Sequence, residues 1–200
     1  KTWSGPLRRQ ATENRREEPR QRGRDRRIVR LLSGWFSKAA RPLPWRTDPR
    51  DPYPSLVSEF MLQQTQVSRV LEKFGPFLKQ FGSLRALAGA SEAEVLAAWS
   101  GLGYYRRARL LHACAKAAAR QHGGRIPRDI EELRELPGVG RYTAGAIASI
   151  VFGDKHPIVD GNVCRVLQRL EAREGHAGGK DVVGWAWKRA EVLVGLTARG

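Results

Sequence analysis

Apolar residues recur along this chain at helical spacing, and no stretch alternates as a half-buried strand would. From Ile28 the positions Ile28, Leu31, Leu32, Trp35 and Phe36 follow i, i+3, i+4, i+7, i+8 and predict a first amphipathic helix. A proline- and charge-rich loop, Arg41 to Pro54, separates it from a second helix over about Ser55–Gln64, with Val57, Phe60, Met61 and Gln64 on one face. The third, about Val67–Phe81, is expected to bury Val70, Leu71, Phe74, Phe77 and Leu78 and to break at Gly75-Pro76. Ser83 caps a short helix, and Ser91-Glu92-Ala93-Glu94 is a capping-box pattern ahead of another. A long helix runs to about Gln121, where Gly123-Gly124 stops it. A short acidic helix over about Asp129–Glu135 and an apolar one over about Tyr142–Phe152 flank a proline–glycine turn, giving a hairpin over 129–152. Asp160-Gly161-Asn162 opens a helix holding Val163, Val166, Leu167 and Leu170, and a last helix spans about Asp181–Leu196. The expectation is an all-α protein of nine or ten short helices without an internal repeat.

Charge narrows the class. Thirty-six basic and 20 acidic residues give +16. Residues 1–30 hold 11 of the basic and four of the acidic residues, so the excess is divided between tail and body and points to a polyanionic partner. Residues 1–27 offer only Trp3 and Leu7 as large apolar side chains and are expected to form a disordered basic tail. No apolar run approaches the roughly 18–20 residues of a membrane span, and no signal region opens the chain, so a cytoplasmic protein is expected. Cys114 and Cys164 form no C-x-x-C, and the four histidines lack ligand spacing, so no metal site is read.

Three stretches and two separate acids carry candidate chemistry. In Leu136-Pro137-Gly138-Val139-Gly140, Pro137 ends one helix and two glycines leave backbone amides bare where the next begins. Such a nest suits a phosphate oxygen; the same residues also make an ordinary αα-hairpin turn. Gln63, Gln64, Thr65 and Gln66 are neutral donors and acceptors that can read base edges or fill a gap in a duplex, or can simply form a polar surface. In Gly101-Leu102-Gly103-Tyr104-Tyr105-Arg106-Arg107, an exposed tyrosine beside arginines would stack into a base step, whereas a buried tyrosine with snorkelling arginines would be structural. Glu59 lies among apolar neighbours, where desolvation raises a carboxyl pKa, and Asp160 has the position of a helix N-cap.

Together, Leu43-Pro44-Trp45-Arg46, Ser58 to Val67, Gly101 to Tyr105, Leu136 to Gly145 and Val159 to Val163 resemble the MutY-type adenine DNA glycosylases of the helix-hairpin-helix superfamily, relatives of endonuclease III. The resemblance covers about residues 28–195. It implies a six-helix barrel lobe over 50–155 and a second helical lobe from 28–49 and 156–200, with DNA between them and the target base turned out of the duplex. It implies hydrolysis of the N-glycosidic bond of adenine mispaired with 8-oxoguanine or guanine in double-stranded DNA, by a monomer, associated with the nucleoid if the cell is bacterial. On this resemblance Glu59 is the catalytic acid, and Asp160 is the second carboxylate that stabilises or attacks an oxocarbenium-like sugar. Asn162 orients water or the acid, and Tyr142 is the active-site tyrosine. Gln63, Gln64, Thr65 and Tyr104 enter or line the duplex, while Pro137, Gly138, Val139, Gly140 and Arg46 contact DNA. Endonuclease III-type enzymes have a Schiff-base lysine where Tyr142 stands, so no strand cleavage is expected. A thymine–guanine mismatch glycosylase also carries a tyrosine there; Gln63-Gln64 favours adenine. The reading from another class is a helix-hairpin-helix DNA-binding module without chemistry, which would need neither Glu59 nor Asp160.

Two departures from the family pattern stand out. Its members usually continue into a four-cysteine segment holding a 4Fe–4S cluster, then into an 8-oxoguanine-recognition domain. This sequence stops at Gly200, where that segment would begin, so a truncated chain with no cofactor of its own is expected. A lysine frequent in the family is replaced by Cys164, removing one charge near DNA.

Overall fold

The structure, a computed structural model, describes residues 6–197. It is all-helical, with ten α-helices and no strand among the described residues. They are α1 (Pro6–Ala39), α2 (Pro52–Leu62), α3 (Val67–Gln80), α4 (Leu84–Gly89), α5 (Glu92–Ala98), α6 (Arg106–Gln121), α7 (Ile130–Glu135), α8 (Arg141–Ala146), α9 (Gly161–Leu170) and α10 (Lys180–Gly195). A π-helical turn, Ile147–Val151, prolongs α8.

Local chemistry accounts for most boundaries. Asp51 caps α2 by accepting from the Tyr53 amide, with Pro52 at the first helical position, where its missing N–H costs nothing. Ser83 caps α4, and Ser91 with Glu94 closes a full capping box on α5. Asp129 caps α7 by accepting from the Glu131 and Glu132 amides.

Twenty-six buried residues form one core between Trp45 and Ala148, with Leu56, Phe60, Phe77, Trp99, Leu111 and Ile147 among them. Phe77 meets Phe81 and Trp99 edge-on, at centroid distances of 5.0 and 5.9 Å. A second core of six buried residues, Val159, Cys164, Leu167, Ala186, Trp187 and Ala190, joins α9 to α10. Fully burying side chains of this size contributes about 1.5–3 kcal/mol each, so the first core dominates.

The N-terminal part departs from expectation. Residues 1–5 of the expected disordered tail lie outside the described residues, but α1 already runs from Pro6 rather than from Ile28. Asp25, 1% exposed, receives a two-pronged ion pair from Arg189 of α10, and Arg189 also bonds Glu171. Arg24 reaches the same Glu171 at 2.9 Å. These bonds, rather than the apolar stripe, choose the face that α1 turns inward: Leu31, Leu32, Trp35 and Phe36 are left exposed. Periodicity marks a face that gains from cover but does not supply the cover.

Two smaller expectations in α3 also fail. The helix passes through Gly75-Pro76 unbroken, because Val70, Phe74 and Phe77 bury its other face while Pro76 sits on the solvent side. Leu71 lies on that exposed side.

Candidate active site

Glu59 occupies the last full turn of α2, between the fully buried Ser58 and Phe60. Its carboxyl faces a cavity of about 240 Å³ shared with Tyr142, Arg41, Arg46, Arg50 and Ile150. Burial pushes the Glu59 pKa up to about 7, although three guanidinium groups line the same cavity. A carboxylic acid of that strength is half protonated near neutrality, as a general acid requires. Arg46 is anchored by donating to the Arg41 carbonyl at 3.2 Å and lies over the Phe36 ring at 5.3 Å. Burial and its neighbours Arg50 and Arg41 lower its pKa.

The Tyr142 side chain is 38% exposed at the start of α8. Burial raises its phenol pKa, pushed up to about 12, and the charges of both Glu59 and Asp160 add to the shift. One phenol thus feels two carboxylates that are 101 positions apart in the sequence.

Asp160 caps α9 and is not among the residues that line the Glu59 cavity. One carboxylate oxygen accepts from the Val163 amide at 2.8 Å, which starts α9, and the other accepts from Asn162 Nδ2 at 3.1 Å. Arg165 in turn donates to Asn162 Oδ1, which turns the amide NH₂ toward Asp160. The segment before Asp160 crosses α8 at Gly145, where an added Cβ would lie 2.5 Å from the Pro157 carbonyl oxygen. Only glycine permits that approach, and the approach carries Asp160 to the edge where Tyr142 stands.

The hairpin turn packs through Gly138, at φ 78°. A Cβ there would lie 2.9 Å from both Phe60 and Leu110, so the turn rests on the residue next to Glu59. Gly138 and Gly140 are exposed and Pro137 half-buried; Val139 is buried, and its amide donates to the Leu136 carbonyl at 3.0 Å. Arg141, one residue on, stacks 3.8 Å from the Trp187 ring and so braces the hairpin against the second core.

Gln63 and Thr65 are half-buried beyond the end of α2, and Gln64 is exposed with a left-handed backbone, φ 55°. Tyr104 is 64% exposed with φ 46°. The tyrosines of Tyr104-Tyr105 therefore face outward while Arg107 is buried, the reverse of a buried tyrosine with snorkelling arginines. In the sequence Arg107 stands out only as one of the arginine pair beside the tyrosines, yet a signal for its burial exists: it shares the helical stripe of Leu111, Cys114 and Ala118, all buried. Arg41 and Arg50 at the cavity, and Asp25 with Arg189, were missed as well.

This sequence matches, over residues 57–189, the family described as the HhH-GPD superfamily of base excision DNA repair proteins. The chain belongs to that superfamily. It is 46% identical over 151 residues to an adenine DNA glycosylase of Mycobacterium tuberculosis, a match covering 76% of this chain and 50% of that one. It is 44% identical over 171 residues to the human adenine DNA glycosylase, covering 82% and 31% respectively. The chain thus spans about half the length of its mycobacterial relative and a third of the human one. Among solved structures it resembles a thermostable thymine-DNA glycosylase at TM-score 0.76 and 27% identity, over 86% of this chain and 79% of that one. A trapped endonuclease III–DNA covalent intermediate shares the fold at TM-score 0.64 and 22% identity, over 84% and 80%.

A 4Fe–4S cluster, as the resemblance implies for longer relatives, needs four thiolates. Here Cys114 is buried in the first core and Cys164 in the second, and no group of acids, histidines and cysteines among the described residues could hold a metal ion. The described residues do not fit the group. No helix among the described residues is long and apolar enough to cross a membrane.

Proposed function

We propose that this chain is the base-excising part of an adenine DNA glycosylase, acting on adenine opposite 8-oxoguanine or guanine in duplex DNA. The observation that carries the reading is Glu59, an acid with a pKa of about 7 in a cavity beside a tyrosine that also feels Asp160. Adenine leaves poorly until its ring is protonated. Glu59 would donate that proton as the bond between the sugar and the base breaks. Asp160, fixed by Val163 and Asn162, would face the positive charge that develops on the sugar, as counter-charge or as nucleophile; water then completes hydrolysis. Tyr142 is a neutral phenol and Arg141 is engaged on Trp187, so neither offers an amine for Schiff-base chemistry and strand cleavage. Exposed Gly138 and Gly140 would approach backbone phosphate, and Arg46 would reach DNA from the cavity rim.

A thymine–guanine mismatch activity is the second reading, favoured by the likeness to a thymine-DNA glycosylase. The greater identity to adenine DNA glycosylases supports the first. One assay separates them. Duplexes holding a single adenine opposite 8-oxoguanine, adenine opposite guanine, or thymine opposite guanine are incubated with the protein and then treated with hot alkali to cut abasic sites. Cleavage of the adenine strands only, and only after alkali, is the expected result. Cleavage of the thymine strand would install the second reading. Cutting without alkali would exclude the monofunctional chemistry.

A further inference from the structure

Two exposed residues, Gln64 and Tyr104, have left-handed backbones that non-glycine residues rarely adopt. They lie on different segments, the connection after α2 and the glycine loop before α6. One buried cation underlies both. Arg107 Nη1 donates to the carbonyls of Phe60 at 3.0 Å, Met61 at 2.7 Å and Gln63. Its Nη2 donates to Thr65 Oγ1 at 2.8 Å and to the carbonyls of Leu102 at 3.1 Å and Gly103 at 3.2 Å. The guanidinium carbon lies 5.5 Å from the ring centroids of both Trp99 and Tyr104. No acid pairs with Arg107 among the described ion pairs.

An unpaired buried cation is costly, and desolvation lowers its pKa. What offsets the cost is the negative end of the α2 dipole, whose last carbonyls have no helical partner of their own. Glu59 belongs to the same turn as Phe60 and Met61. The grip on α2 therefore fixes three things at once: the turn bearing the acid, the Gln64 backbone and the Tyr104 loop.

We propose that Arg107 is a positioning residue that holds Gln64 and Tyr104 as one preformed wedge against the duplex and couples that wedge to the helical turn of Glu59. The proposal rests on the glycosylase reading above. A duplex with 2-aminopurine in place of the target adenine, opposite guanine, reports base unstacking as a rise in fluorescence without any bond being broken. Arg107→Lys keeps the charge but replaces the planar fork with a single ammonium, which cannot reach six acceptors. The fluorescence gain at saturating protein is expected to fall at least about fivefold, while affinity for a fully matched duplex changes less than about twofold. A merely structural role predicts that the folded variant unstacks as the parent does.

Thr65→Val and Thr65→Ser decide the matter should the lysine variant fail to fold. Valine removes the acceptor for Arg107 and serine keeps it, so amide hydrogen exchange at Gln64 and Tyr104 in the DNA-free protein should quicken at least about threefold in the valine variant relative to the serine variant. A lysine variant with the parent's melting curve and full unstacking, or Val and Ser variants that behave alike, would overturn the proposal. The chemical reading fails separately. A parent that unstacks the probe but releases no base from any mismatch removes the chemistry and keeps the wedge; a parent that does neither removes both.

Discussion

Around Glu59, twenty-six buried side chains including Phe60, Phe77 and Trp99 form one continuous apolar core, whereas beneath Asp160 only six do. Charges supply what the smaller core lacks: Arg189 bridges Asp25 and Glu171, Arg24 adds to Glu171, and Arg141 stacks on Trp187. The two carboxyls differ accordingly. Glu59 is tuned by exclusion of water and ends near neutrality. Asp160 is fixed in place by hydrogen bonds donated from the Val163 amide and from Asn162 Nδ2. On the glycosylase reading proposed above, an acid that gives a proton and an anion that meets a cation call for different surroundings, and each region would provide one of them.

Removing the acid breaks the comparison most sharply. Glu59→Gln should lower single-turnover adenine release by about 10³-fold or more while leaving binding to mismatched duplex intact. With the acid present, release should decline as pH rises through about 7, because the protonated fraction falls about tenfold per pH unit above the pKa. The linkage to stability has the same sign. The folded state holds this proton more tightly than the unfolded chain does, so the group's contribution is complete below the unfolded carboxyl pKa. It is lost as pH rises toward 7. At pH 8, Glu59→Gln should therefore raise unfolding stability by about 1–3 kcal/mol, which denaturant titration at pH 5 and pH 8 would check.

Asp160→Asn tests the other carboxyl. Asparagine caps helices as well as aspartate does, so melting should move little, while base release falls by about 10²-fold. A variant that loses both equally would reduce Asp160 to a cap. Arg189→Met probes what holds the second region: it leaves Asp25 buried without its partner and should cost about 3–5 kcal/mol in thermal unfolding. Replacing Asp25 and Arg189 together by apolar residues should recover much of that loss. The smallest expected effect comes from Gly145→Ala, whose Cβ would push on the Pro157 carbonyl and shift the segment that ends at Asp160. Base release should fall about tenfold, with the pH limb of Glu59 unmoved, since misplacing a group by a fraction of an ångström costs rate without changing the acid.

Much of this was legible in one dimension. Helix limits at Ser83, Ser91, Asp129, Asp160 and Gly123-Gly124 follow from capping chemistry that acts over three or four residues. The all-helical class followed from spacing alone, and the superfamily from five motifs in order. The raised pKa of Glu59 was foreseeable because its neighbours in sequence, at helical spacing, are apolar and buried together. Only the tertiary structure decided the face that α1 turns inward, since Asp25 and Arg189 are 164 residues apart. The same holds for Tyr142 feeling the charge of both carboxyls and for the burial of Arg107 rather than of Tyr104. Those outcomes depend on which distant partner reaches a buried charge first in three dimensions, and local periodicity carries no record of that.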